Sequence, residues 1–269
     1  MDHDRPPTPE VPLRDPWLTW GSGRLLLLTL AALMLNGGAQ GAAYGMTKNI
    51  FFSVGAGGVL VVIFAGLFSQ AQGMTSAQVF HLDRPGWVVA GLAIVASLSS
   101  QVPAGLLTSI SAQLKPPSEQ WIDFYNSHLP TGGLETGLAY ASVVVLGPLA
   151  EELIYRGLLY RIFRRHWGVL PSAVLSALIF GLAHGEPWYL FGLVGLGVLF
   201  ALVYEYSGSL TAAAVAHAAH NAFGMTVIIG DGGMSADLPE GPVPWVWLIL
   251  SLSVLAGVLL RLRSSRRQA

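Results

Sequence analysis

The sequence predicts an all-α, polytopic membrane protein with about eight transmembrane helices. Three observations carry that reading. Of the 269 residues, 53% are hydrophobic and only 11% are charged, whereas a soluble domain carries about 25% charge; such a chain cannot cover a water-facing surface. Its charged residues are spaced as punctuation: no Asp, Glu, Lys or Arg occurs in 25–47, 49–82, 85–114, 166–185, 187–204, 206–230 or 241–260, and a span needs roughly 20 apolar residues. Finally, Lys and Arg fall on alternate connections. The absence of cysteine excludes a disulfide scaffold, a thiolate metal site and a thiol nucleophile. A net charge of −1 gives no reason to expect a nucleic-acid partner.

Taken in order, the helices are expected near 23–45, 50–72, 86–110, 134–160, 169–185, 187–206, 209–230 and 244–262. The fourth needs a special argument. Its charge-free part, 136–150, is too short to span and becomes a span only if the helix runs through Glu151 and Glu152 to about Leu159. Trp17, Trp20, Trp87, Trp167, Trp188, Trp245 and Trp247 stand at span starts, where an indole prefers the headgroup level. Pro171 suits a first helical turn and Pro187 a break between helices. The first span resembles a signal-peptide core, but Asp2, Asp4, Glu10 and Asp15 precede it, so a retained helix is expected. Between the third and fourth spans, Pro116, Pro117, Trp121, Phe124 and Tyr125 point to an interfacial turn or short helix. The 32 glycines are read as close-packing residues of membrane helices.

Twelve arginines (5, 14, 24, 84, 156, 161, 164, 165, 261, 263, 266 and 267) fall on one side and Lys48 and Lys115 on the other. The positive-inside bias puts both termini in the cytoplasm. The expected organisation is a cytoplasmic segment 1–22, a membrane domain 23–262 and a basic cytoplasmic tail 263–269. The Gly- and Ala-rich composition and short loops look prokaryotic.

Ionisable groups inside a bilayer are costly and stay only when paired, wetted or working. Here they are Glu151, Glu152, His184, His217 and His220, with Asn221 beside them and Glu205 near a helix end. Glu152 and Arg156 are spaced i, i+4 and can pair. Adjacent positions lie ~100° apart on a helix, so Glu151 should look elsewhere, into the bundle. His217 and Asn221 share a face at i, i+4; His220 has a structural role as its simpler reading. Phe180 lies one turn before His184, and core packing accounts for it. Measured along the helices, Glu151, His184, His217 and Asn221 reach similar depths, ~12–20 Å from the cytoplasmic boundary.

A carboxylate, two imidazoles and a carboxamide suit hydrolysis. Glu151 with His184 could hold and deprotonate a water, and His217 with Asn221 could donate to a tetrahedral oxyanion. Alternatively Glu151, His184 and His217 could ligate zinc. No His-Glu-x-x-His or Gly-x-Ser-x-Gly motif is present. Non-catalytic readings also exist: a membrane scaffold or immunity protein using the same groups for helix packing, or a transporter with a proton-binding Glu151, which lacks the expected repeats.

Glu-Glu-x-x-x-Arg at 151–156, Phe-x-x-x-His at 180–184 and His-x-x-x-Asn at 217–221 resemble, in order, the three motifs of the CAAX-protease and bacteriocin-processing family of intramembrane endopeptidases. That family includes the type II, Ras-converting CAAX prenyl endopeptidases and the Abi proteins. The resemblance covers 134–230. It implies eight helices around an intramembrane cavity open toward the cytoplasm, with Glu151 and His184 activating water and His217 and Asn221 holding the oxyanion. Glu152, Arg156 and Phe180 would support them. It leaves zinc or a metal-free glutamate mechanism open, and implies a membrane-associated or lipidated peptide as substrate, in CAAX-type processing, bacteriocin maturation or self-immunity.

Overall fold

The computed structural model describes residues 20–235 and 245–266, all helix and connecting turns. The segments 1–19 and 267–269, with Arg5, Arg14, Trp17 and Arg267, lie outside the described residues, so the terminal segments expected at 1–22 and 263–269 are described only in part. The spans are α1 (Ser22–Thr47), α2 (Ile50–Ala71), the broken pair α4 (Trp87–Ser99) and α5 (Gln101–Leu114), α7 (Gly133–His166), α8 (Val169–Ala183), α9 (Leu190–Ser207), α10 (Leu210–Gly230) and α11 (Trp245–Arg266). Two short helices lie outside them: α3 (Ser76–Phe80) and α6 (Glu119–Ser127). Seven helical segments are long and apolar enough to cross a membrane, and α8 is a shorter eighth. The chain is thus a multi-pass membrane protein, and all eight expected segments are helical.

Its surface inverts that of a soluble protein: Leu27, Met34, Leu67 and Leu260 stand exposed on the outer wall. Trp87, Trp245 and Trp247 are exposed at helix starts as expected. Trp188 is not part of that belt. It packs edge-on against Trp121 of α6 at 4.9 Å. The expected interfacial helix is α6, capped by Ser118, whose side chain accepts from the Trp121 N–H.

The bundle has two ends. At one, α3 and the turn after it receive α7 and α10: Arg161 donates to the Val79 carbonyl and the Leu210 N–H to the His81 carbonyl. Glu205 there meets Arg164 at 3.2 Å and accepts from Tyr160. This is the arginine-rich end. At the other, α6 is tied to the turn after α10 by a reciprocal pair, Asn126 Nδ2 to the Met234 carbonyl and the Met234 N–H to Asn126 Oδ1.

Two spans depart from regular helix, each for a local reason. Pro103 cannot supply the N–H that would bond the Ser99 carbonyl, and the third span breaks there, at Ser100. In α7, residues Ala141–Leu146 and Tyr155–Tyr160 are wound as π-helix. The Gly147 N–H bonds the Ser142 carbonyl, five residues back. The next bond in that register would come from Pro148, which has no N–H, so the Val143 carbonyl is left without an intrahelical donor.

Small residues bring α8 and α9 together. A Cβ on Gly197 would stand 2.7 Å from the Ala177 Cβ, so α9 fits only with glycine there. Gly197→Ala is expected to lower the thermal midpoint in detergent, by strain of about 1–3 kcal/mol. Gly257→Ala, where nothing lies within 4 Å, should leave it unmoved; equal midpoints for both would show that α8 and α9 do not pack this closely.

Candidate active site

The site is assembled from the middle of α7, the end of α8, and the faces of α9 and α10. Its base is a buried ion pair. Arg156 Nη1 lies 2.8 Å from Glu152 Oε1, and Nη2 donates to the Gly197 carbonyl at 2.8 Å. Both side chains are fully buried. The guanidinium is also sandwiched between Phe180 and Phe200, at 4.9 and 5.4 Å from the ring centres. The expected Glu152–Arg156 pair is therefore present.

His217 stands on this base. Its Nδ1 lies 2.9 Å from the same Glu152 Oε1, and its Nε2 is 3.6 Å from Glu151 Oε2. Phe200 stacks on the ring at 4.4 Å. The helical-wheel argument that adjacent carboxylates must look to different places needs correcting. An imidazole offers a nitrogen on each side, so both glutamates address one ring from opposite ends. Glu152 fixes its orientation while Glu151 faces the cavity.

His184 ends α8, where Gly185 at φ +69° turns the chain in a conformation that only glycine adopts without strain. Its Nδ1 bonds the Phe180 carbonyl at 2.8 Å. A carbonyl only accepts, so Nδ1 carries the proton and Nε2 is the acceptor in the neutral ring. Phe180 meets His184 edge-on at 4.7 Å and His217 at 5.9 Å, so this core residue also spaces the two imidazoles. Asn221 Nδ2 donates to the Val143 carbonyl at 2.9 Å, the very group that Pro148 leaves unbonded. The irregularity of α7 thereby orients a carboxamide on α10 and leaves its second N–H available.

Glu151, His184, His217 and Asn221 all line one inner cavity of about 250 Å³. His220 lines it too, so it belongs to the site rather than to packing alone. Its Nδ1 accepts from Gln101 Nε2 at 2.9 Å. Sequence reasoning missed Gln101, whose signal was a carboxamide in an apolar span two residues before a proline. It also passed over Glu186. That residue lines a second cavity of about 410 Å³ together with His184, His220, Asn221, Trp121, Tyr125 and Met234.

The position of this outer cavity bears on the expected opening. Its rim comes from α6, the turn after α8 and the turn after α10, all at the end away from the arginines. A cavity open toward the cytoplasm and cytoplasmic arginine-rich ends cannot both hold.

Among the described residues no three His, Asp or Glu side chains are grouped to hold an ion as folded.

Among the described residues, one carboxylate, three imidazoles and a carboxamide thus line the inner cavity of a polytopic helical bundle. Residues 134–223 match the family model described as type II CAAX prenyl endopeptidase Rce1-like, so the resemblance carried by the three motifs is borne out over about a third of the chain. The chain is 24% identical to the membrane-embedded CAAX protease MroQ of Staphylococcus aureus (strain USA300) over 143 residues, 51% of this chain and 55% of that one. It is 25% identical to the UPF0177 protein YbdI of Lactococcus lactis subsp. lactis (strain IL1403) over 164 residues, 60% of this chain and 83% of that one. The match to the first of these relatives thus spans about half its length. No solved structure matches the chain.

Proposed function

We propose that this chain is an intramembrane endopeptidase that hydrolyses a peptide bond of a membrane-associated substrate with a glutamate-activated water. The observation that carries this reading is the convergence of Glu151, His184, His217 and Asn221 on one cavity, next to the family match. Water donates one hydrogen bond to Glu151 and one to His184 Nε2, the acceptor nitrogen left by the Phe180 carbonyl. Its oxygen attacks the scissile carbonyl carbon as Glu151 takes a proton. The free N–H of Asn221 faces the developing oxyanion. His217, held at Nδ1 by Glu152, presents Nε2 toward Glu151 and the cavity as the second group of the oxyanion site. The proton on Glu151 then passes to the leaving amine as the C–N bond breaks. No step is routed through a metal.

The arginine count favours cytoplasmic termini, and with that orientation the mouth of the outer cavity faces the extracytoplasmic side. The substrate is accordingly a peptide presented on that side, anchored or embedded in the membrane. An extended strand entering the cavity finds donors and acceptors in the polar layer that lipid would deny it. This favours a secreted or bacteriocin-like peptide over a cytoplasmic CAAX tail.

The test uses proteoliposomes of defined orientation, checked with reporters on both termini. A membrane-anchored peptide is presented on either face, with and without prior metal stripping. Cleavage of peptides offered at the α6 face, undiminished by stripping and with substoichiometric bound metal, is expected. Activity lost on stripping and restored by zinc would overturn the metal-free mechanism. Absence of cleavage in every arm would favour the scaffold reading.

A further inference from the structure

The outer cavity contains a charge that the hydrolytic machinery does not use. Glu186 lies between His184 and Pro187, half-buried, and no ion pair to it occurs among the described residues. Among the described residues no Lys or Arg lines the cavity. Around it stand Trp121, Tyr125 and Tyr189, with Trp121 stacked on Tyr125 at 5.7 Å and edge-on to Tyr189 at 6.0 Å. The Met234 turn closes the fourth side, fixed by its reciprocal bonds to Asn126. Burial pushes the Glu186 carboxyl up from its ordinary range, and burial together with the Glu186 charge pushes the Tyr125 phenol up. A bound cation would relieve both.

We propose that this aromatic, singly acidic vestibule is a specificity subsite for a basic side chain, Lys or Arg, of the peptide substrate. The chemistry is complementary twice over: π faces attract a cation, and a carboxylate that makes no ion pair among the described residues, with only the His184 imidazole acting on it at a distance, supplies the counter-charge. The geometry argues for a peptide. His184, His220 and Asn221 line both cavities, so a chain whose scissile bond sits at Glu151 has flanking residues in the vestibule. The subsite rests on the endopeptidase reading for its use, but binding to it does not.

Two measurements test it. In the first, a membrane-anchored peptide series carries Lys, Arg, norleucine or Glu at successive positions beside the scissile bond. The wild type should prefer Lys or Arg over norleucine at one position by about tenfold in kcat/KM. That ratio should collapse toward one in Glu186→Gln and favour Glu in Glu186→Lys. Identical ratios in all three proteins would overturn the subsite while leaving the endopeptidase reading intact. The second needs no turnover. Binding of the Lys and norleucine peptides to Glu151→Gln protein is followed by tryptophan fluorescence, with Trp121→Phe identifying the reporting indole. Tighter binding of the Lys peptide, lost on adding Glu186→Gln, supports the subsite even if no cleavage is ever seen. Equal binding of the two peptides overturns it. Equally effective displacement of the Lys peptide by phosphocholine would also overturn it, assigning the vestibule to a lipid headgroup.

Discussion

Glu151→Gln is expected to lower peptide cleavage by about 10²–10⁴-fold, the usual contribution of a general base, with the thermal midpoint in detergent unchanged. The separation follows from the surroundings of the carboxylate. Its side chain is 26% exposed, and among the described residues its one close ionic neighbour is His217 Nε2 at 3.6 Å, whose Nδ1 stays held by Glu152, so an amide in its place leaves the buried Glu152–Arg156 pair intact. Asn221→Ala should lose about 10²–10³ in kcat, because an oxyanion donor acts in the transition state. Single-turnover cleavage of an anchored peptide, read beside unfolding curves, checks both. Full turnover in the two variants would remove the catalytic reading of the cavity.

Glu152→Gln should behave in the opposite order. This residue is fully buried and its Oε1 serves both Arg156 and His217. Neutralising it leaves the Arg156 guanidinium uncompensated between two phenyl rings. Breaking such a pair costs about 3–5 kcal/mol. The expected result is a large fall in thermal midpoint and in folded yield, with activity falling because the protein is lost. Arg156→Met in the same background removes the stranded charge and should restore part of the stability. A Glu152→Gln protein with normal stability and dead chemistry would exchange the roles of the two glutamates.

Much of this architecture was legible in the sequence. Seven of the eight helices follow from charge-free intervals because an ionisable group in lipid is costly enough to act as a boundary marker, and the fourth from continuing a short apolar run through Glu151 and Glu152. The same logic hid what it discarded. Glu186 and its neighbours read as punctuation between α8 and α9, yet the turn folds back over the cavity and becomes its wall. The motif residues could be found because i, i+4 spacing predicts a shared face, as for Glu152 with Arg156. Those contacts that depend on a broken register could not. Nothing in the letters of 141–146 marks a π turn, and the Asn221–Val143 bond exists only because Pro148 withholds a donor from one carbonyl. Likewise the break at Ser100, before Pro103, gives Gln101 its route to His220. The direction of the cavity was a matter of three-dimensional closure: depth along single helices said how far in the site lies, but not from which end it is reached.

The shortness of α8 has a bearing on the lipid itself. Its 15 residues rise about 22 Å, some 8 Å less than the roughly 30 Å of a bilayer's hydrocarbon. At its C-terminal end the chain leaves the helix at His184 and turns through Gly185. Lipid beside that end must compress, or water must follow the chain inward. Either response thins the apolar barrier next to the cavity mouth. A peptide backbone approaching there would travel a shorter distance without water, and a water molecule entering the cavity would have the same shortened path. On this reading the truncated helix makes the protein a local defect in its own membrane, beside the polar cavity.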